Sequence, residues 1–327
     1  MRMSLPERLG ALTLALCAVL FPGSVGAQYA TQVVLDNDSF NFWQAPNRRA
    51  DREYTQGTRV RVLMPTSAGI VRQLLGGPND CESHAVERDC RMLSFAVTQG
   101  IYTPTLDPKR RSPFERPYAG WLGGEFGALR ERRRGVNAFA IEVGVTGAAS
   151  LAAPAQKAVH RLLGFPEPQG WDEQLPSELA VLASYRGAAE LLHVESRRSG
   201  MRMLVAPTWS LRAGTVATDA TLGAQLTLGL HAPAPWQGAT NLYGDQWGFF
   251  ARAGAQQTAV ARNLFLDGTT FTSSASVEKM RWVAERQLGV GARTPIGMLE
   301  WQLHSRGREY RLQPRAHAYS TLSFSLR

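Results

Sequence analysis

The sequence predicts an all-β chain: a single transmembrane antiparallel β-barrel of about twelve strands, with one short extracellular loop helix. Three observations carry that expectation. Many segments alternate apolar and polar residues with period two. The chain opens with an export signal. After it, no run of about 18 apolar residues offers a helical span.

The signal comes first. Arg2 and Arg8 supply positive charge, 9–21 supply an apolar run, and Val25, Gly26 and Ala27 place small residues at the cleavage positions. Residues 1–27 are read as a secretory signal peptide and 28–327 as one outer-membrane barrel domain. The apolar run is too short and wrongly flanked for a permanent span. Cleavage lowers the formal net charge of +9 by one and removes Cys17. Cys81 and Cys90 remain, and in an exported chain a disulfide closing a small loop is expected. A metal pair is not, because no CxxC spacing accompanies them and His84 alone lies between.

The strands follow. In 58–64, Thr58, Val60, Val62 and Met64 oppose Arg59 and Arg61. In 137–145, Phe139, Ile141, Val143 and Val145 oppose small or acidic residues, including Glu142. In 202–212, Met203, Val205, Trp209 and Leu211 oppose Arg202, Thr208, Ser210 and Arg212. In 221–230, Leu222, Leu226, Leu228 and Leu230 oppose Gly223, Gln225, Thr227 and Gly229. In 299–306, Leu299, Trp301 and Leu303 oppose Glu300, Gln302, His304 and Arg306. The last strand is 316–327, with Ala318, Leu322, Phe324 and Leu326 on one face. One face is apolar and the other polar and often charged, as lipid outside and a wet lumen require. A soluble antiparallel sheet also alternates, but without the recurrent charge on the second face.

The helix is 151–164. Pro154 suits a first turn and Gly164 a stop. Gln156 and His160 stand four apart and share a face, while Ala155, Val159 and Leu162 form an apolar stripe. A histidine on a rigid helix beside a barrel wall suits a general base. Taken alone, the same segment reads first as a surface loop helix, and the other segments reverse that reading.

Other segments carry chemistry less specifically. Asp36, Asn37 and Asp38 cluster hard oxygens at a strand end, which suits Ca2+ or a plain Asx-turn. Asp51, Arg52, Tyr54, Thr55 and Gly57 lead into the 58–64 strand. Ile101, Tyr102, Thr103 and Pro104 form one further segment, and Arg116, Pro117, Tyr118, Ala119, Gly120 and Trp121 another. Pro104 and Pro117 would stiffen turns, and Tyr118 and Trp121 suit a membrane-interface belt. Gly170, Trp171, Gln174, Leu175 and Glu178 follow the helix.

In this order, over about residues 30–180, these segments resemble the outer-membrane lipid A 3′-O-deacylase family. Beyond residue 180 the resemblance rests mainly on strand pattern. It implies a twelve-stranded barrel with its site between the wall and a loop helix, near the outer leaflet. It implies Ca2+-dependent hydrolysis of the ester that holds the 3′-linked acyloxyacyl group of lipid A. Asn37, Asp38, Thr55 and His160 match the family's essential positions, and Gln156 a site-lining one. Asp36 stands where many members have Glu. By that resemblance His160 activates water, Asp38 and Asn37 hold the metal or orient the oxyanion, and Thr55 and Gln156 position the reactants. A covalent route with Thr55 as nucleophile stays open.

Lipid A carries phosphates, so Lys109, Arg110 and Arg111 are candidate phosphate contacts, with Arg130, Arg132, Arg133 and Arg134 behind them. The partners expected are lipopolysaccharide and outer-membrane lipid, with a monomer as the working state. Nucleic acid is excluded, since export removes the opportunity and no binding-fold context surrounds the basic residues. Two rivals remain: a non-catalytic porin-like barrel, and an outer-membrane phospholipase. The latter wants a serine partner for a histidine, and none stands out for His160. His304 is expected in the lumen, and His193, His231 and His317 are read as structural.

Overall fold

The computed structural model describes residues 30–38, 52–77, 81, 89–104, 114–237 and 246–326. The signal segment, His84 and the Lys109–Arg110–Arg111 cluster lie outside the described residues.

Among those residues, thirteen antiparallel strand segments form one sheet. They are β1 (Ala30–Asn37), β2 (Glu53–Pro65), β3 (Cys90–Thr103), β4 (Ala119–Arg132), β5 (Gly135–Thr146) and β6 (Leu179–Ala189). Then come β7 (Leu192–Glu195), β8 (Met201–Gly214), β9 (Ala217–Leu230), β10 (Gly248–Asn263), β11 (Trp282–Thr294), β12 (Gly297–Arg306) and β13 (His317–Leu326). The sheet closes where β1 pairs with β13, from Thr31 opposite Leu326 to Asn37 opposite Ser320. β6 and β7 occupy one position: β6 pairs with β8 at Leu182–Ala188 and β7 pairs with it at Leu192–Glu195. Thirteen segments therefore fill the twelve positions expected.

The period of two explains the wall. Phe139, Ile141 and Val143 of β5 are exposed outward, while Glu142 between them is buried. Leu222, Leu226 and Leu228 of β9 are exposed likewise. Large apolar side chains facing out would be unfavourable in water and are at home in lipid. Inside, charges meet opposite charges. Arg252 Nη1 lies 2.6 Å from Glu300 Oε2, Arg306 Nε 2.6 Å from Glu285 Oε2, and Arg61 Nη2 3.1 Å from Glu125 Oε1. His304 is in this lumen, its Nδ1 3.1 Å from Glu285 Oε1.

The lumen is stoppered twice. Near the rim that carries both chain ends, Ala232, Ala234 and Trp236 fold inward, Ala234 and Trp236 against Leu204 and Ala206. Arg202 Nη1 donates to the Ala232 carbonyl at 3.1 Å. At the far rim, the short helix Leu264–Asp267 buries Leu264, Phe265 and Leu266. Phe265 stacks on Tyr102 at 4.2 Å and packs with Trp121, Leu175 and Leu182. Cavities of about 360 and 520 Å³ remain between, sharing Arg186, Ser210, Thr221 and Gln256 in their linings.

The two other helices mark opposite rims. α1 (Gly69–Leu75) lies beside the rim with the chain ends, and α2 (Ala152–Leu163) lies at the far rim between β5 and β6. Cys81 and Cys90 form the expected disulfide, at the α1 rim where β3 begins.

Two expectations change. Arg130 and Arg132 end β4, and Arg133 and Arg134 form the turn to β5, on the rim away from α2. There Arg130 pairs with Asp89 at 2.6 Å, so phosphate contact beside α2 is ruled out for this cluster. Tyr118 and Trp121 are buried rather than belt residues. Trp121 donates to Glu142 in the lumen at 2.6 Å, which satisfies an indole N–H that lipid would not.

Candidate active site

β1 ends at Asn37, opposite Gln56 of β2 and Ser320 of β13. Asp36 faces the lumen, accepting from Tyr54 Oη at 2.7 Å and Thr321 Oγ1 at 2.6 Å. Strand alternation then turns Asn37 to the outer face. Asp38 follows it, buried, its Oδ2 accepting the Arg52 amide N–H at 2.9 Å. That bond pins the end of β1 to the start of β2.

β2 carries a bulge here. Tyr54 pairs with Tyr102 and Gln56 with Ile101, which leaves Thr55 as the extra residue. Bulges re-aim side chains and recur beside active sites. Thr55 Oγ1 lies 2.7 Å from Thr103 Oγ1, and both residues are buried.

α2 forms where the sequence puts it. Pro154 sits in its first turn, and Gly164, at φ 75°, ends it in the left-handed region. The Phe165 N–H then bonds the His160 carbonyl at 2.8 Å. The helix docks by small residues: Ala152 and Ala155 pack on Ile101 of β3, Tyr118 and Trp171. Gly120 permits this approach, because a Cβ there would meet Ser150 Oγ and Ala152 Cβ. Gln156 is buried, and its Oε1 accepts from Trp171 Nε1 at 2.8 Å. The amide is therefore held in one orientation.

His160 lies one turn further on. Its Nδ1 is 2.5 Å from the Pro166 carbonyl oxygen. A carbonyl only accepts, so Nδ1 carries a hydrogen, and the contact fixes the orientation of the ring. Phe165 stands edge-on to the ring at 5.9 Å. At the far rim, β1 and β2 thus carry Asn37, Asp38 and Thr55, while α2, packed on Ile101 of β3 and on Tyr118 and Trp171, carries Gln156 and His160.

Several motif residues turn out to support the site. Trp171 and Tyr118 pack together at 5.1 Å beneath α2, and the Leu175 N–H bonds the Tyr118 carbonyl at 2.9 Å. Arg116 is fully buried, its Nη1 3.3 Å from both Glu53 Oε2 and Glu309 Oε2. Tyr310 Oη donates to Glu53 Oε1 at 2.9 Å. This hub joins three connections two residues from Thr55. Its partners lie up to 257 positions apart in the chain, beyond the reach of any local pattern.

The model of the family described as outer membrane protein LpxR matches residues 11–327. The chain belongs to the LpxR family of outer-membrane proteins. This is the lipid A 3′-O-deacylase family that the ordered motifs resemble, and the protein is an integral outer-membrane barrel. Among solved structures, LpxR from Salmonella typhimurium is similar in fold, with TM-score 0.71 and 18% identity, over 91% of this chain and 99% of that one. Two autotransporter domains give weaker likenesses. The NalP translocator domain of Neisseria meningitidis has TM-score 0.40 and 11% identity, covering 98% of this chain and 95% of that one. The β domain of Bordetella BrkA has TM-score 0.44 and 9% identity, covering 93% and 99%. A search of curated protein sequences returned no match.

Proposed function

We propose that this LpxR-family barrel hydrolyses the ester that joins the 3′-linked acyloxyacyl group to lipid A, with His160 as general base. The observation that carries the reading is the oriented imidazole: the Pro166 carbonyl holds His160 Nδ1 and so fixes the ring, which makes Nε2 the candidate proton acceptor. His160 Nε2 takes a proton from water, and the water oxygen bonds to the ester carbonyl carbon. The bond between that carbonyl carbon and the sugar oxygen then breaks, and His160 returns the proton to the departing sugar oxygen. The products are a carboxylic acid and a free hydroxyl on lipid A. Gln156, locked by Trp171, shapes the wall beside this reaction. The Thr55 hydroxyl is bonded to another hydroxyl and not to a base, which favours water over Thr55 as nucleophile.

A Ca2+ ion fits the donor chemistry at the end of β1. The Asp38 carboxylate, with amide and backbone oxygens at Asn37, offers the hard oxygens Ca2+ takes. When bound, such an ion supplies positive charge for the developing oxyanion.

The porin reading is opposed by the two stoppers in the lumen. The site lies instead on the outer wall, on the rim opposite the chain ends, where an outer-leaflet lipid reaches it directly. The decisive experiment is mass spectrometry of lipid A incubated with the purified barrel, with Ca2+ or chelator, beside His160→Ala. The expected result is loss of the 3′ acyloxyacyl mass, abolished by chelator and reduced about 10²–10⁴-fold in the variant. Intact lipid A with a folded wild-type barrel overturns the reading, and cleavage of phosphatidylethanolamine instead assigns a phospholipase.

A further inference from the structure

Thr55 and Thr103 are each about 2% exposed, and their hydroxyl oxygens lie 2.7 Å apart. A threonine hydroxyl has one proton to donate and two lone pairs to accept. The pair therefore owns two protons, and one is used between the two oxygens whichever of them donates. The other proton has no acceptor in the hydrogen bonds of either side chain among the described residues. A buried donor without an acceptor is unfavourable. An acceptor brought by a bound molecule removes that penalty.

The backbone explains how the pair arises. Thr103 pairs with Glu53 at the last rung of β2 and β3, and the bulge inserts Thr55 beside that rung. Without the extra residue, Thr55 would sit in the regular ladder opposite one β3 residue.

We propose that Thr103 is a positioning residue for the ester hydrolysis. It donates its O–H to Thr55 Oγ1, and Thr55 passes its own O–H to the oxygen of the scissile carbonyl. This inference rests on the deacylase reading above. Chained hydroxyls polarise one another, so the terminal O–H is a better donor to developing negative charge than a lone hydroxyl. No bond to carbon forms or breaks at either threonine. The Ile101–Tyr102–Thr103–Pro104 segment, which closes β3, thus gains a role that its place in the motif order did not disclose.

The test is a double-mutant cycle on the purified full-length barrel with lipid A, scored as separate kcat and KM. Thr103→Val keeps the shape and removes the hydroxyl. It should lower kcat about tenfold and leave KM within about twofold, the pattern of a bond that counts mainly in the transition state. Thr103→Ser should restore most of the rate. Thr55→Val should cost about 10²-fold, as loss of an oxyanion donor does. The Thr55→Val/Thr103→Val double variant should be no slower than Thr55→Val within about twofold, because Thr103 acts through Thr55. Wild-type kcat in Thr103→Val, a serine variant as slow as the valine, or multiplying losses in the double variant would each overturn the proposal. Heat-modifiable electrophoretic mobility checks that each barrel is folded, and Thr103→Ala, which adds no atom, repeats the comparison if the valine barrel fails that check. If the wild-type protein itself leaves lipid A intact, the deacylase reading fails, not this one alone.

Discussion

The lumen and the outer wall under α2 are both rich in polar side chains, yet they are built on different principles. In the lumen, charge meets charge: Arg252 with Glu300, Arg306 with Glu285, and Arg61 with Glu125. Under α2 the side-chain bonds are mostly between neutral groups: an amide to an indole, an imidazole to a carbonyl, a hydroxyl to a hydroxyl. Paired charges in a low-dielectric interior neutralise each other and hold the strands apart. Neutral groups held by fixed partners keep a lone pair or a proton directed at a reactant. The count of buried polar residues therefore does not locate the chemistry. The kind of pairing is what marks the wall under α2 as the candidate site.

That contrast can be broken most sharply at the two histidines. His160→Ala should slow lipid A deacylation about 10²–10⁴-fold, whereas His304→Ala, in the lumen, should leave the rate within about twofold. Mass-spectrometric time courses compare the two, and equal losses would erase the distinction.

The converse test is on stability. Arg252→Ala leaves Glu300 buried without its partner and should destabilise the barrel by about 3–5 kcal/mol, read from urea unfolding in detergent. Activity per folded molecule should not change. A catalytic defect with unchanged unfolding would place the lumen in the reaction.

A subtler break separates the helix from the wall. Gly120→Val pushes side-chain atoms into Ser150 and Ala152, so α2 should lift. Trypsin should then cut at Lys157 and Arg161 several times faster, while the β-sheet circular dichroism stays as in wild type. Deacylation should fall about tenfold or more, since small displacements of positioned groups are costly. The smallest signal expected is in planar bilayers, where the stoppered barrel should give no stepwise current. Porin-like conductance would return the lumen to consideration.

The wall was legible in the sequence because lipid imposes a strict period of two. Phe139, Ile141 and Val143 point outward as their alternation requires. α2 was legible for a local reason as well: Pro154 and Gly164 bracket it, and Gln156 and His160 fall on it four apart. What escaped the sequence depends on contacts distant in the chain. The break between β6 and β7 follows no local breaker pattern. Trp121 read as an interface residue because an aromatic does not declare which face of a strand it takes, and its acceptor, Glu142, is on the next strand. Arg116 is invisible as a hub, since Glu309 lies 193 positions away. Thr103 had a motif but no role until the bulge at Thr55 placed the two hydroxyls together.

The closure of the sheet has a temporal consequence. β1, which carries Asn37 to the site, is held on one side by β2 and on the other only by β13. Until the carboxyl-terminal strand arrives, the strand end bearing Asn37 and Asp38 has one neighbour and no fixed register on its other edge. Closing the barrel and fixing the register of that strand end are then a single event.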